Sequence, residues 1–488
     1  MPEAPPSPGP SGTVESAAAA PPASAATNPL SRTGIALAEA SERWFPDAFA
    51  FAVVGVGIVF GLAVTVEHKG VVEMASSFGK GFWNEKLIVF TMQMVLVIIS
   101  GYAVATSPLV YRGITSLAAR PRSSRGAVAL VATFSMLSSA VSWSFSLIFS
   151  GLLARQIAAR RDLRVDYRAL GAAAFLGLGS IWALGLSSSA ALLMSKPPDT
   201  LLPISGVIPL TATIGRVESL CMAAALMIVS LTVAVMSVPP DDQARDAEQM
   251  GVTITPLSID IARPTRPGEW LEHVPLLTLV LCGIGFTYIA TLVNARGLTS
   301  LLTLDTYILF LLLLGLLLHW RPRSFVKAVG RAMPASAGVI IQYPLYAGIM
   351  QMMMDSGLAH DLADVFVRVS THDTFPVVVA IYSAMLGLFI PSAGGKWLVE
   401  APYLLEAAKS MQVNMGWVVQ VYNASEALPN LIHPFWMLPL LGILELEARD
   451  LVGYTSLQFV VHVPLVILMV WGFNQIIPYV PPMMGVLP

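Results

Sequence analysis

Apolar windows of about 18 to 20 residues recur along this chain, the length a helix rising 1.5 Å per residue needs to cross a hydrocarbon core of roughly 30 Å. Inside such a core backbone polar groups must be paired without water, so a chain built this way can become only a bundle of spanning helices, with irregular backbone confined to protein-lined cavities. Over 488 residues, 55% hydrophobic and 12% charged, with a mean hydropathy of +0.71, the expectation is an all-α polytopic membrane protein. A net charge of −2 offers no basic surface for nucleic acid. Cys221 and Cys282 sit apart in apolar stretches without metal or redox spacing and read as packing residues. The sequence lacks a Gly-x-x-x-x-Gly-Lys loop, so nothing supports ATP-driven chemistry.

Composition then divides the chain. Residues 1–43 are rich in Pro, Ala and Ser, the signature of a disordered tail without the apolar core of a secretory signal. A charged linker at 239–272 separates two apolar halves, 44–238 and 273–488. Loops carrying Arg112, Arg120, Arg122 and Arg125, and Arg321, Arg323, Lys327 and Arg331, face the cytoplasm by the positive-inside rule, with the amino terminus and the linker on the same side. Nine crossings are expected, at about 48–66, 87–105, 169–194, 219–238, 274–293, 301–318, 335–354, 415–439 and 454–473. An acidic segment with Asp355, Asp361, Asp364 and Asp373 is expected outside.

Two apolar stretches do not read as plain spans. The one at about 127–153 has arginines on both flanks, which one crossing would put on opposite sides; a re-entrant hairpin with its tip at Ser138-Ser139-Ala140-Val141-Ser142-Trp143-Ser144 removes the conflict. The one at about 377–408 is interrupted by Pro391-Ser392-Ala393-Gly394-Gly395-Lys396-Trp397. Two spans are also broken, at Ser187-Ser188-Ser189 and between Asn423 and Asn430. Each half thus repeats one order: a span with an interior glutamine (Gln93, Gln342), a hairpin, a broken span and a closing span, the second half inverted and with one extra span. Inverted repeats whose broken helices meet near the midplane are the construction of secondary transporters. Half-helix N-termini there suit an anion, and exposed carbonyls a cation such as Na⁺. A small organic anion is the indicated substrate class, with H⁺ or Na⁺ as coupling ion and no cofactor.

Gly81-Phe82-Trp83-Asn84, Met92-Gln93-Met94, Gln342-Tyr343-Pro344-Leu345-Tyr346-Ala347-Gly348-Ile349, Asp373-Thr374-Phe375-Pro376, Pro391-Ser392-Ala393-Gly394-Gly395 and His433-Pro434-Phe435-Trp436 together resemble the bacterial short-chain fatty acid transporters of the ion transporter superfamily, over about residues 40–475. The resemblance implies transport of acetate-to-butyrate-sized carboxylates or acetoacetate in the bacterial inner membrane. It also implies a scaffold with a mobile transport domain, a dimer, and no enzymatic activity. The chain departs from the family where glycines and a histidine are expected at the second tip, here Ala393-Gly394-Gly395-Lys396, and at Trp182-Ala183-Leu184-Gly185, Ser142 and Ala427-Leu428. Those departures bear on substrate, leaving a carrier of larger or dicarboxylate anions, or a non-transporting sensor of the same fold, as alternatives.

The substrate-binding candidates are Ser142, Trp143, Ser187, Ser188, Ser392, Gly394, Gly395, Lys396 and Asn430. Glu426 and Asn423 are candidates for the coupling ion, because an intramembrane ionisable group is functional by default. Lys396 either meets a substrate carboxylate or pairs with Glu400 one turn later. Gln93 and Gln342 either brace the hairpins or join helices, and His433 reads as packing.

Overall fold

A computed structural model describes residues 28–197, 201–254, 263–297, 300–301, 303–358, 360–361, 365 and 368–482. Residues 1–27 of the expected tail, 255–262 of the linker and Asp364 lie outside the described residues. Among the described residues seven helices are long and apolar enough to cross a membrane, or eight when Met415–Asn430 and Phe435–Leu444, bent by 76°, count as one span. One of them, Ser124–Val141, is an arm of the first expected hairpin, and the expected crossings at 301–318 and 335–354 are not among them. Leu304–His319 is only 16 residues long, and Ala337–Ser356 carries Gln342 and Pro344 in its interior. Fixed N-caps set several starts: Asp47, Asn84, Asp166 and Asn414 each accept a backbone N–H from the first turn that follows.

Disorder is expected through residue 43, and from Pro29 onward the chain departs from that expectation. Pro29–Trp44 is a helix laid along Ala448–Asn474. Its Ala and Gly content, which suggests disorder in isolation, is what permits the packing: a Cβ on Gly453 would stand 2.3 Å from Ala38 Cα, and one on Gly34 3.2 Å from Ser237 Cβ. Glu42 then bridges Arg168 at 2.6 Å and Arg245 at 2.8 Å. The linker is likewise docked at its start, where Arg245 O accepts from Tyr167 N at 2.8 Å and Arg245 N donates to Asp166 at 3.1 Å.

At both expected hairpins the chain forms two helices in contact across a break. Ser142 alone, extended at φ −149°, separates Ser124–Val141 from Trp143–Ala158, and Ser146 Oγ donates to Ser135 O at 2.7 Å across the arms. In the second, Phe375–Gly387 and Ala393–Ser410 are tied by Lys396 Nζ to Ser383 O at 2.6 Å. Gly394 and Gly395 are not the break they were expected to be. They form the first turn after Ser392, because the interruption is made by Pro391 and extended Ser392. The glycines serve close approach: a Cβ on Gly395 would lie 2.8 Å from Ser392 Oγ.

The first broken span leaves Tyr167–Leu176 through a π turn at Gly177–Ile181 and a 3₁₀ turn at Trp182–Leu184, then restarts at Ser189–Ser195. The second breaks later than expected. Met415–Asn430 is continuous through Asn423 and Glu426, and the chain turns at 431–434 between Pro429 and Pro434, before Phe435–Met437 and Leu438–Leu444.

At Gly185 the break touches hairpin backbone, where a Cβ would lie 2.2 Å from Ala140 O. Gly185→Ala should therefore cost roughly 1–3 kcal/mol, seen as a lower midpoint in thermal unfolding of the detergent-solubilised protein. Gly57→Ala, with nothing within 4 Å, should leave the midpoint unchanged or slightly raised.

Candidate functional site

The four interruptions meet around one cavity of about 390 Å³. Ser142, Trp143 and Ser144 come from the first hairpin, Leu186, Ser187 and Ser189 from the first broken span, Ser392, Ala393 and Gly394 from the second hairpin, and Trp436 from the second broken span. One serine closes the first three-way junction. Ser187 Oγ donates to Ser139 O at 2.8 Å and accepts from Trp143 N at 2.9 Å, while Leu186 N donates to Ala140 O at 2.7 Å. Gly394 completes the meeting of halves, since a Cβ there would stand 3.5 Å from Ser189 Cβ.

Two chemistries line this space. Trp436 is the aromatic hub, with ring centroids 5.4 Å from Trp143, 6.1 Å from Phe90 and 6.4 Å from Trp182; Leu178, Leu192 and Leu304 extend the apolar wall. The polar lining is made of donors. Trp182 Nε1 and Trp436 Nε1 are buried without a hydrogen-bond partner among the described residues, and the buried Tyr307 hydroxyl stands beside the Ser142 and Ser144 hydroxyls. The start of Ala393–Ser410 has no side-chain cap, so its first N–H groups and their partial positive charge face the same space. None of the lining residues is charged. A small ligand with one acceptor-rich, anionic end and a short apolar body fits this arrangement.

Lys396 lies elsewhere. It is fully buried one turn into Ala393–Ser410 and makes a direct ion pair with Glu426, with Glu400 Oε1 at 3.7 Å. Its ammonium also stands 4.8 Å from the Tyr422 ring, and Ser383 Oγ donates to Glu400 at 2.5 Å. The i,i+4 pairing with Glu400 therefore occurs, joined by the second carboxylate.

Of the substrate candidates, Ser142, Trp143, Ser187, Ser392 and Gly394 line the cavity. Ser188, Gly395, Lys396 and Asn430 do not. Ser188 caps Ser189–Ser195 by accepting from Ala191 N at 3.2 Å, and Asn430 is buried with its Nδ2 unpartnered among the described residues. Asn423, on the face of Met415–Asn430 buried with Glu426, is in the same state. Gln93 joins helices, donating to Asp305 at 2.5 Å; Gln342 is buried with Oε1 unpartnered among the described residues. His433 is wholly buried against Phe51, at 5.2 Å between ring centroids.

Phe90 and Tyr307 went unnamed by sequence reasoning, and Trp182 and Trp436 were named within motifs but not as candidates for the site. Trp436 carried a signal, standing just past the Pro429–Pro434 turn; the other three sit in segments that look like ordinary apolar helix.

The fold defines a polytopic membrane protein with a cavity at the junction of its broken helices. By sequence the chain belongs to the short-chain fatty acid transporter family, whose profile, described as "Short chain fatty acid transporter", matches residues 29–473. It is 32% identical over 420 residues to an Escherichia coli K12 protein provisionally named a short-chain fatty acid transporter, covering 86% of this chain and 94% of that one. A Haemophilus influenzae protein of the same provisional name is 27% identical over 434 residues, covering 87% and 96%. Among solved structures, the YdaH transporter of Alcanivorax borkumensis (16% identity, 88% of this chain and 97% of that one, TM-score 0.39) is similar. So is MtrF of Neisseria gonorrhoeae, described as illuminating a class of antimetabolite efflux pumps (14%, 88% and 97%, TM-score 0.40). Both likenesses are too loose to place individual helices.

The buried cluster generates a stability prediction. Lys396→Met leaves the buried Glu426 carboxylate without its ion-pair partner and should destabilise by about 3–5 kcal/mol. Adding Glu426→Gln should recover part of that loss, read from unfolding midpoints in a double-mutant cycle.

Proposed function

We propose that the chain carries short-chain monocarboxylates, of acetate-to-butyrate or acetoacetate size, across the bacterial cytoplasmic membrane by secondary active transport. The observation that carries this reading is the lining of the cavity. Partnerless indole donors from Trp182 and Trp436, the Tyr307 hydroxyl and the uncapped start of Ala393–Ser410 would hold the carboxylate, with the Trp, Phe and Leu wall taking the alkyl tail. The two hairpins act as re-entrant elements of inverted repeats, alternately opening the site to either side, with the amino terminus in the cytoplasm and two chains forming a dimer. H⁺ or Na⁺ drives the cycle, with Glu426 and its surroundings as the coupling region.

The reading of a dicarboxylate carrier depended on Lys396 as a second positive contact. With Lys396 outside the cavity lining and held by Glu426, that reading has no supporting residue.

Purified protein in liposomes should take up labelled butyrate faster than protein-free vesicles, with competition by acetate and acetoacetate but not by succinate. Tyr307→Phe, which removes one donor, should raise the apparent KM roughly three- to tenfold, the effect of one lost hydrogen bond. Leu192→Ala should shift the preference toward hexanoate over butyrate by roughly tenfold, since two more methylenes at about 0.8 kcal/mol each gain room. Uptake no faster than in empty vesicles, or equal competition by succinate, would overturn the assignment.

A further inference from the structure

The cluster beneath the second tip carries an inference that rests on the proposed transport and deepens it. Lys396, Glu400 and Glu426 are each buried to within 1% of complete enclosure. One ammonium faces two carboxylates, so the fully ionised cluster would keep one uncompensated negative charge in a low-dielectric interior, which is strongly unfavourable. The two carboxylates are not equivalent. Glu426 contacts the ammonium directly, whereas Glu400 lies 3.7 Å from it. Glu400 Oε1 has no hydrogen-bond partner among the described residues, and its Oε2 accepts only from Ser383 Oγ. The groups that could offset Glu400 otherwise are few. Phe375–Gly387 brings Tyr382 and Ser383, and Met415–Asn430 brings Tyr422 and Glu426. Ala448–Asn474 behind them turns its His462 to Ser230 instead, at 2.9 Å. The position between the carboxylates that a metal cation would take is held by the lysine ammonium.

The geometry points to Glu400 as the carrier of the coupling proton, with the Lys396–Glu426 pair as the fixed charge that makes exactly one proton sufficient for neutrality. The proton binds Glu400 Oε1 from one side of the membrane and leaves from the same atom to the other; no other bond forms or breaks. The link to substrate is short. Lys396 N donates to Ser392 O at 2.7 Å, and Tyr422 Oη donates to Ala393 O at 2.5 Å, so two groups touching the charge cluster also hold two residues that line the cavity. A carboxylate seated at the first turn of Ala393–Ser410 adds a negative charge one to two turns from Glu400, which favours its protonation; by reciprocity the proton favours the carboxylate. Transport is then electroneutral, one proton for each monocarboxylate.

The test uses full-length protein in liposomes, with the rate in protein-free vesicles subtracted. An inward proton gradient should drive butyrate uptake in the wild type, and neither a membrane potential alone nor a Na⁺ gradient should. Glu400→Gln should lose gradient-driven uptake by about tenfold or more while exchange of labelled for unlabelled butyrate at equal pH stays within about twofold, a separation within the usual range of coupling strengths. Uptake driven by Na⁺, or a Glu400→Gln protein that still responds to the proton gradient, would overturn the inference and leave the carboxylate reading standing. Absence of both uptake and exchange in the wild type would instead strike the proposed function. An infrared difference spectrum between acid and alkaline pH decides the proton site without transport. The C=O stretch of a protonated buried carboxylic acid should be present in the wild type and missing from Glu400→Gln; its persistence in that variant would overturn the assignment.

Discussion

Within a hydrocarbon layer an interrupted helix has polar backbone groups that water cannot reach, and the structure depends on how these are paired. Each interruption is completed by another. The first hairpin turns at Ser142, and the N–H freed at Trp143 is taken by Ser187, from the first broken span, whose own hydroxyl proton goes to Ser139 O. Farther along the same span, Gly177 N donates to Ser135 Oγ at 2.9 Å and Ser135 Oγ to Ala174 O at 2.7 Å. The small residues at 135, 177 and 185 are thus consequences of one requirement. Backbones that repair one another must approach to hydrogen-bond distance, and a Cβ at Gly177 would already stand 2.3 Å from Ser135 O.

What the mutual repair leaves unpaired is equally informative. The serine junction takes up the backbone N–H at the turn of the first hairpin, whereas the second tip has no side-chain cap on its first turn and the Trp182 and Trp436 indole donors keep theirs free among the described residues. A buried donor without an acceptor costs on the order of 1–3 kcal/mol, so their convergence on one cavity marks the place where an acceptor from outside the chain is expected. The short-chain fatty acid transporter family supplies a substrate class of that chemistry, reached independently of the geometry.

The interruptions were legible in the sequence because Pro, Gly and Ser stand out against apolar surroundings, and the meeting of Ser142, Ser187 and Ser392 follows from placing two hairpins opposite each other. The aromatic wall was not legible. Phe90 and Trp182 inside apolar helices look like packing, and Tyr307 sits in a short span with nothing around it to mark it. Breaks were also misplaced by several residues, at Gly394-Gly395 and at Asn423–Asn430, since glycine in a first turn and asparagine within a buried helix are both compatible with helix. Lys396 was singled out with Glu400, one of the two carboxylates it faces. Glu400 is visible four residues away, but Glu426 arrives on a different helix, and only the packing of Met415–Asn430 against the hairpin reveals it.

That packing joins the two parts of the molecule that carry charge. Ala393–Ser410 presents its first turn to the cavity, Lys396 to Glu426, and Glu400 to Ser383, all along one helix. The helix is gripped from the side by Tyr422, which binds Ala393 O with its hydroxyl and faces the Lys396 ammonium with its ring. A helix held in this way through its first two turns cannot move at the cavity without disturbing the ion cluster, and a change in the cluster's charge alters the field at the cavity a turn away. The departures at this tip, lysine above all, follow from the same geometry. A cation here neutralises Glu426 on the neighbouring helix, so what it changes is the charge state of the hairpin, while the cavity itself keeps a lining without charged residues.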